Sequence, residues 1–260
     1  MNIADLATAS QEFLRTLDVK KKSLANVDFP WYPYGTLHNF TVLNLLLTGP
    51  NRDLLSAPAN TGLIADIGAA DGDTAFFLES LGYRVHAIDN PPTNMNGCRA
   101  LHTLKQGLNS DVEILEADLD SQFKLPAQEY DLAMFLGILY HLKNPYFVLE
   151  SLARHARRAL ISTRITRYNL AVNAKSAYPG VNLQRVEIAS VPAAYLVAHD
   201  ETNNDATNFW MFTEAGLRRI LDRTGWEVLD FKTVGNTNAS DPATSEGDER
   251  AFCYVRSRHF

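Results

Sequence analysis

Asp66, Gly68 and Gly72 stand at D-x-G-x-x-x-G spacing where the apolar run 63–67 breaks into a small-residue turn, GAADG. A strand and a helix later, Asp89 closes the run 84–88. A strand that ends in such a turn presses backbone against a nucleotide-like ligand. An acid at the end of the next strand accepts hydrogen bonds from two ribose hydroxyls. A dinucleotide turn asks for G-x-G-x-x-G or G-x-G-x-x-A, so that the backbone meets pyrophosphate at a helix N-terminus. Here Ala70 and Asp73 hold the second and third glycine positions, and Asp71 puts a carboxylate where phosphate charge would sit. A nicotinamide-dependent oxidoreductase is therefore the least supported of the readings.

The pattern suits a nucleoside that carries a cation and no phosphate. S-adenosylmethionine, with its sulfonium and ammonium, is such a ligand. Asp118, after EILEA, falls at the end of a third strand, where it is placed to meet an adenine amino group. In open parallel sheets the ligand lies beyond the carboxyl ends of the strands, where these residues gather.

His141 follows the strand 131–136, and an unperturbed imidazole titrates near neutrality, which makes it the candidate base. Its alternative role is packing or capping the helix opened by Pro145. Tyr140 beside it either orients an acceptor or fills core. Trp31, Tyr32 and Tyr34, in FPWYPYG, either close over the pocket or anchor the N-terminal segment, and His38 reads as a surface residue. Trp210 and the polar stretch 201–208 belong to an insertion, the kind of loop that carries specificity on a rigid scaffold. The seven histidines show no H-x-x-H or H-E-x-x-H spacing, so no metal is expected. Asp200, Glu201 and Asp205 read as a solvated loop.

These residues must be held by regular elements. The first helix places Ile3, Leu6, Phe13 or Leu14, and Leu17 on one face, followed by Lys20, Lys21 and Lys22 as a solvated face. The prolines of 29–35 exclude a regular helix. A second helix, 37–48, stops at Gly49-Pro50. Strands are expected at 63–67, 84–88, 112–116, 131–136 and 158–163, with helices at 74–81, 94–107 and 145–156. Asn144 caps the last of these and Pro145 opens it. Such alternation implies a doubly wound parallel sheet, covered on both faces. An insertion, 165–212, follows the fifth strand. Thr213 then caps a helix that Gly225 ends. WEVLDFKTV and RAFCYVR form an antiparallel hairpin at the sheet edge, joined by a polar, mobile loop at 236–249. The chain thus reads as an N-terminal helical extension, 1–60, and an α/β domain, 61–260, with 165–212 as its cap.

Composition sets outer bounds. The chain of 260 residues is 46% apolar and 21% charged, enough for one large domain. A net charge of −6 and a pI near 5.6 argue against a polyanionic partner. The two cysteines, Cys98 and Cys253, lie in apolar runs without a CxxC pair and read as buried, reduced thiols. No signal peptide or membrane-length apolar run is visible, so a cytoplasmic protein is expected. Oligomeric state is not legible.

The stretches 63–164 and 209–255 resemble the class I S-adenosylmethionine-dependent methyltransferases. The resemblance rests on ADIGAADG, Asp89, EADLD, FLGILYHLKNP and WMFTEAGLRRILDRTGWEV. It implies a seven-stranded, mostly parallel sheet with the last strand antiparallel, and S-adenosylmethionine as cofactor. It implies a cofactor loop of Asp66, Gly68, Ala69, Ala70 and Gly72, with Asp89 and Asn90 at the ribose and Asp118 with Leu119 at the adenine. Leu136 and Gly137 match the family's backbone contacts to the methionine end. Ala70 departs from the commoner glycine, which bears on how closely the backbone approaches. The expected reaction is methyl transfer to a small-molecule O, N or C acceptor, with His141 as base and Tyr32, Tyr34, Tyr140 and Trp210 around the acceptor. GILYHLKNP, WYPYG and the distal FW are also similar to the subgroup that modifies the tRNA wobble uridine with carboxy-S-adenosylmethionine. A third alternative is a non-catalytic module that retained the cofactor pocket.

Overall fold

The computed structural model describes residues 2–24, 27–125, 129–171, 174–176, 178–202, 204–243 and 248–260. In chain order the described residues form α1 (Ile3–Ser23), α2 (Asn39–Leu46), β1 (Ile64–Ile67), α3 (Asp73–Ser80), β2 (Val85–Asp89), α4 (Arg99–Leu108) and β3 (Glu113–Glu116). After these come β4 (Leu132–Leu136), α5 (Pro145–Ala153), β5 (Arg158–Ile165), β6 (Ala194–Leu196), β7 (Trp210–Phe212), α6 (Glu214–Arg223), β8 (Trp226–Gly235) and β9 (Glu249–Ser257). None of the described helices is long and apolar enough to cross a membrane.

Five parallel strands lie in the order β3-β2-β1-β4-β5. β9 runs antiparallel to both β5 and β8. The sheet is therefore mostly parallel with its last strand antiparallel, as the sequence suggested. The chain winds outward from β1 to β3 and returns to β4 beside β1. That reversal opens a crevice at the carboxyl ends of β1 and β4, the place where such sheets bind ligands.

Alternate residues of the central strands feed two apolar layers, as the two-residue period of a strand requires. Ile64, Met134, Leu160 and Phe252 face one layer, shared with α1 to α4. Ala65, Phe135, Ile161 and Cys253 face the other, under α5 and α6. The N-terminal extension joins the first layer through Ile3, Leu6 and Leu17, packed with Phe76 and Phe77 of α3. Asn2 and Asp5 start α1 with a capping box.

Several expectations change. The final hairpin puts β8 outermost and β9 inside, between β5 and β8: Ala251, Cys253 and Val255 are buried on one face of β9 and Phe252 and Tyr254 on the other, as an interior strand requires. The insertion contributes β6 and β7, and β7 joins β5 at Ile165 and Phe212. Strands of three residues are too short for a period to register. The helix expected over 94–107 starts only at Arg99. Asn94 Oδ1 instead accepts from the backbone of Asn96 and Cys98, and Gly97 and Cys98 have φ of +65° and +62°. The helix expected over 37–48 is a 3₁₀ turn, Thr36–His38, followed by α2. α5 ends at Ala153, three residues short of expectation. Pro145 opens it, but the Asn144 side chain makes no capping bond and donates instead to the Asp120 carbonyl at 3.1 Å. Thr213 does cap α6, accepting from Gly216 N–H at 2.9 Å. In the 236–249 loop, Ser240 and Asp241 are buried, Ser240 hydrogen-bonded to Glu249 Oε2 at 2.6 Å, and 244–247 lie outside the described residues.

Candidate active site

β1 delivers Asp66 to the crevice and then turns. Gly68, Ala70 and Gly72 take φ of +72°, +53° and +89°. At Gly68 a Cβ would overlap Ile138 Cδ1, and at Gly72 it would come within 2.6 Å of Phe76 Cε2, so a side chain at either position would displace its neighbours as well as strain the backbone. Ala70 shares the left-handed region at a cost of about 1 kcal/mol, beyond any effect on backbone approach. Two bonds hold it there: its N–H donates to Asp89 Oδ2 at 2.7 Å, and Asn94 Nδ2 donates to its carbonyl at 3.3 Å.

Asp89, at the end of β2, accepts on its other oxygen from Asn90 N–H at 2.7 Å. Burial raises its pKa despite these bonds. Asp66 is buried more completely. Its Oδ2 has no hydrogen-bond partner among the described residues, and burial first, then the Asp89 charge, push its pKa up to about 7. Neither carboxylate forms an ion pair among the described residues.

Asp71 turns away from this crevice. Oδ2 accepts from Lys21 Nζ at 3.1 Å and from Tyr32 N–H at 2.9 Å, while Oδ1 accepts from Asn96 Nδ2 at 3.0 Å. Lys21 also meets Asp73 Oδ1 at 3.0 Å, with its own side chain only 13% exposed. The expectation of a solvated lysine triplet is corrected at Lys21. The spacing of 50 residues between Lys21 and Asp71 leaves no local signal for the pair. Lys21, Asn94 and Asn96 are thus site-building residues that sequence reasoning missed.

Asp118 is exposed and spends its carboxylate on its own turn, accepting from Ser121 Oγ at 2.6 Å and Asp120 N–H at 3.0 Å. The Ser121 bond holds its pKa below the usual range. Leu119 beside it is buried. Asp120 then accepts from the backbone N–H groups of Lys143 and Asn144, both at 2.7 Å, bracing the loop after β4.

That loop opens with Leu136 and with Gly137 at φ +78°. The Tyr140 and His141 rings lie 4.1 Å apart. Arg250, from β9, reaches the Tyr140 hydroxyl with Nη1 at 3.4 Å, and both groups lie within 4 Å of where a Gly137 Cβ would stand. Tyr32 sits within electrostatic reach of Tyr140, Arg250 and Asp89, and burial pushes its phenol up to about 12. Tyr34 stacks edge-on against Tyr32 but is 71% exposed, in the wall of a groove of about 550 Å³ between α1 and the 31–35 segment. Trp31 packs against the first apolar layer, and His38 is exposed. Trp210 is half-buried, and its Nε1–H has no partner among the described residues.

Cys98 and Cys253 are free, buried thiols. No group of three or more His, Cys, Asp or Glu that could hold a metal ion is found among the described residues. Glu201 instead accepts from the Tyr195 hydroxyl at 2.9 Å, and Asp205 from the Thr207 hydroxyl at 2.6 Å.

Buried Asp66, half-buried Asp89, the left-handed turn between them and the switch-point crevice form the kind of cleft in which open α/β sheets hold nucleoside-like ligands. A family model described as "Methyltransferase domain" matches residues 65–159, which span the glycine turn, Asp89, Asp118 and the 136–141 loop. Among solved structures, the N-terminal domain of EvdMO1 with SAH bound is 16% identical, covering 93% of this chain and 96% of that one, with a TM-score of 0.53. A putative methyltransferase from Bacillus halodurans C-125 is 12% identical over 78% of this chain and 95% of that one, with a TM-score of 0.52. No curated protein matches the sequence significantly. The likeness to the two structures is one of fold. The family match lies on the part of the chain that carries the left-handed turn and the acids at the ends of β1 and β2.

Proposed function

We propose that this enzyme transfers a methyl group from S-adenosylmethionine to an O, N or C atom of a small-molecule acceptor held at the switch-point crevice. The carrying observation is the pair of carboxylates, buried Asp66 and half-buried Asp89, that no cation among the described residues neutralises. Burying a charge without a partner is costly, and a cationic ligand offsets that cost. A pyrophosphate would add like charge instead. Asp66, with its free Oδ2, faces that requirement most directly. Gly68, Ala69, Ala70 and Gly72 form the cradle. Asp89 and Asn90 serve the ribose, Leu119 and the turn that Asp118 braces the adenine edge, and Leu136 and Gly137 the methionine end.

When bound, the cofactor supplies an electrophilic methyl carbon on sulfur. The protein's task is to hold the acceptor atom close and in line, which can contribute about 7 kcal/mol or more. Tyr32, Tyr140 and Trp210 are the groups we assign to the acceptor, with Tyr34 at the mouth. Where the acceptor retains a proton, His141 accepts it. Burial holds the pKa of this imidazole below its usual range, which favours the neutral ring that can accept a proton.

One observation favours the second reading, the carboxylated cofactor and a tRNA acceptor. An arginine and a phenol converging beside Gly137 form a site that suits a carboxylate. The deciding experiment is calorimetric titration with S-adenosylmethionine, its demethylated product and carboxy-S-adenosylmethionine, with Asp89→Ala as control. Micromolar binding of the first two, lost in Asp89→Ala, supports the main reading. A clear preference for the carboxylated cofactor, with salt-sensitive tRNA binding, supports the second. No binding by folded protein overturns both. Cofactor binding without turnover over a broad acceptor panel would point to the non-catalytic module.

A further inference from the structure

Every described hydrogen bond of the His141 ring is made through Nδ1 and reaches the insertion. Nδ1 lies 2.9 Å from the Thr207 carbonyl and 3.0 Å from Thr207 Oγ1. A carbonyl oxygen only accepts, so Nδ1 carries the proton. The Thr207 hydroxyl is itself committed. It lies 2.6 Å from Asp205 Oδ1, a carboxylate that also accepts the Thr207 N–H at 2.9 Å. With its proton given to Asp205, Thr207 Oγ1 presents only a lone pair to the ring. Both contacts therefore select the same tautomer, with the free lone pair on Nε2.

We propose that Asp205 and Thr207 are positioning residues for His141, and that the cap insertion, through them, fixes the imidazole as the Nδ1–H tautomer with Nε2 as the proton acceptor. The inference deepens the base role given to His141 and rests on that reading. The same turn is tied to the loop a second time: Phe209 N–H donates to the Tyr140 carbonyl at 2.8 Å, and Lys143 Nζ stands 5.7 Å over the Phe209 ring. The turn thus grips residues on both sides of His141. When Nε2 takes a proton, the imidazolium keeps its Nδ1–H on Thr207 and gains the attraction of Asp205. Arg250 on β9 and Arg164 on β5 oppose that gain and favour the neutral ring at rest. Burial acts the same way. The ring is thereby held neutral before it accepts a proton, with an anion two bonds away to stabilise it afterwards.

The test reads the ring itself and requires no acceptor. In uniformly ¹⁵N-labelled full-length protein, long-range ¹H–¹⁵N correlation spectra report tautomer and titration for each histidine, with His141 assigned by its loss in His141→Gln. The expected result is an Nδ1–H tautomer for His141 and a midpoint below that of a free imidazole. Asp205→Asn should shift the midpoint lower still, because the anion that favours the charged ring is gone. Thr207→Val keeps the carbonyl and the Asp205 charge, and should retain the tautomer with a smaller downward shift from loss of the Oγ1 acceptor; it serves if Asp205→Asn does not fold. An Nε2–H tautomer in the wild type, or titration curves of both folded variants superimposable on the wild type, would overturn the proposal. S-adenosylmethionine titrated into the same samples tests the methyltransferase reading separately, since failure to bind leaves the tautomer result standing.

Discussion

Asp71 accepts the backbone N–H of Tyr32 at 2.9 Å, so the turn assigned to the cofactor and the segment that brings Tyr32 toward the acceptor are fastened to one carboxylate. Lys21 completes the fastening from α1, between Asp71 and Asp73. The N-terminal extension is in this way joined to the wall of the site as well as to the core.

Lys21→Met tests that joint. It leaves two buried carboxylates without their cation, and such a loss is worth about 3 kcal/mol. Urea unfolding should show a destabilisation of that order, and calorimetry a weaker affinity for S-adenosylmethionine. Stability within about 0.5 kcal/mol of wild type, the range of ordinary surface substitutions, would show that the pair holds nothing together.

Asp66 should make both stability and binding depend on pH. In the fold its pKa is about 7, against 3.8 for the unperturbed group, so between these values the folded state holds a proton that the unfolded state has released. Stability therefore falls as pH rises through this window. Asp66→Asn should be relatively more stable than wild type at pH 8 than at pH 4. Affinity for a cationic cofactor should rise through about pH 7 in the wild type and lose that rise in Asp66→Asn. Parallel pH profiles for the two proteins would exclude this role.

Gly68 and Ile138 form a testable pair. In Gly68→Ala the new methyl meets the Ile138 side chain at a positive φ, and overpacking of this kind costs about 1–3 kcal/mol. Shortening the neighbour in Gly68→Ala/Ile138→Ala should recover the steric part and leave the conformational part. A double-mutant cycle with no coupling would show that the contact is not the constraint.

Asp120→Ala removes the acceptor for the Lys143 and Asn144 N–H groups. Both bonds are to a charged group, and each contributes about 1.5–3 kcal/mol. Because both are exposed, the lower end is expected. The local effect should appear as faster amide hydrogen exchange over 136–144, while exchange in β1 and β2 stays unchanged. Uniform acceleration across the sheet would instead indicate global destabilisation.

Much of this molecule was legible in local sequence. Apolar runs ending in small residues mark β1, β2 and β4; Thr213 and Gly225 bracket α6; and the D-x-G-x-x-x-G turn points to a cationic nucleoside. Each is a statement about neighbours a few residues apart, where strand period, capping and φ preference act directly. The partners of the side chains were decided elsewhere. Lys21 reads as one of three solvated lysines until α1 lies across Asp71, and Asp205 reads as part of a solvated loop until the insertion sets Thr207 against His141. Arg250 stands 110 residues from the Tyr140 it meets, because β9 inserts beside β5. Such contacts depend on strand order and on which elements share a face, and one-dimensional spacing does not carry that information. The sequence by itself determined the central parallel strands and the left-handed turn that follows β1; only the tertiary structure decided which charges are neutralised, which acids lack a partner among the described residues, and which nitrogen of His141 keeps its proton.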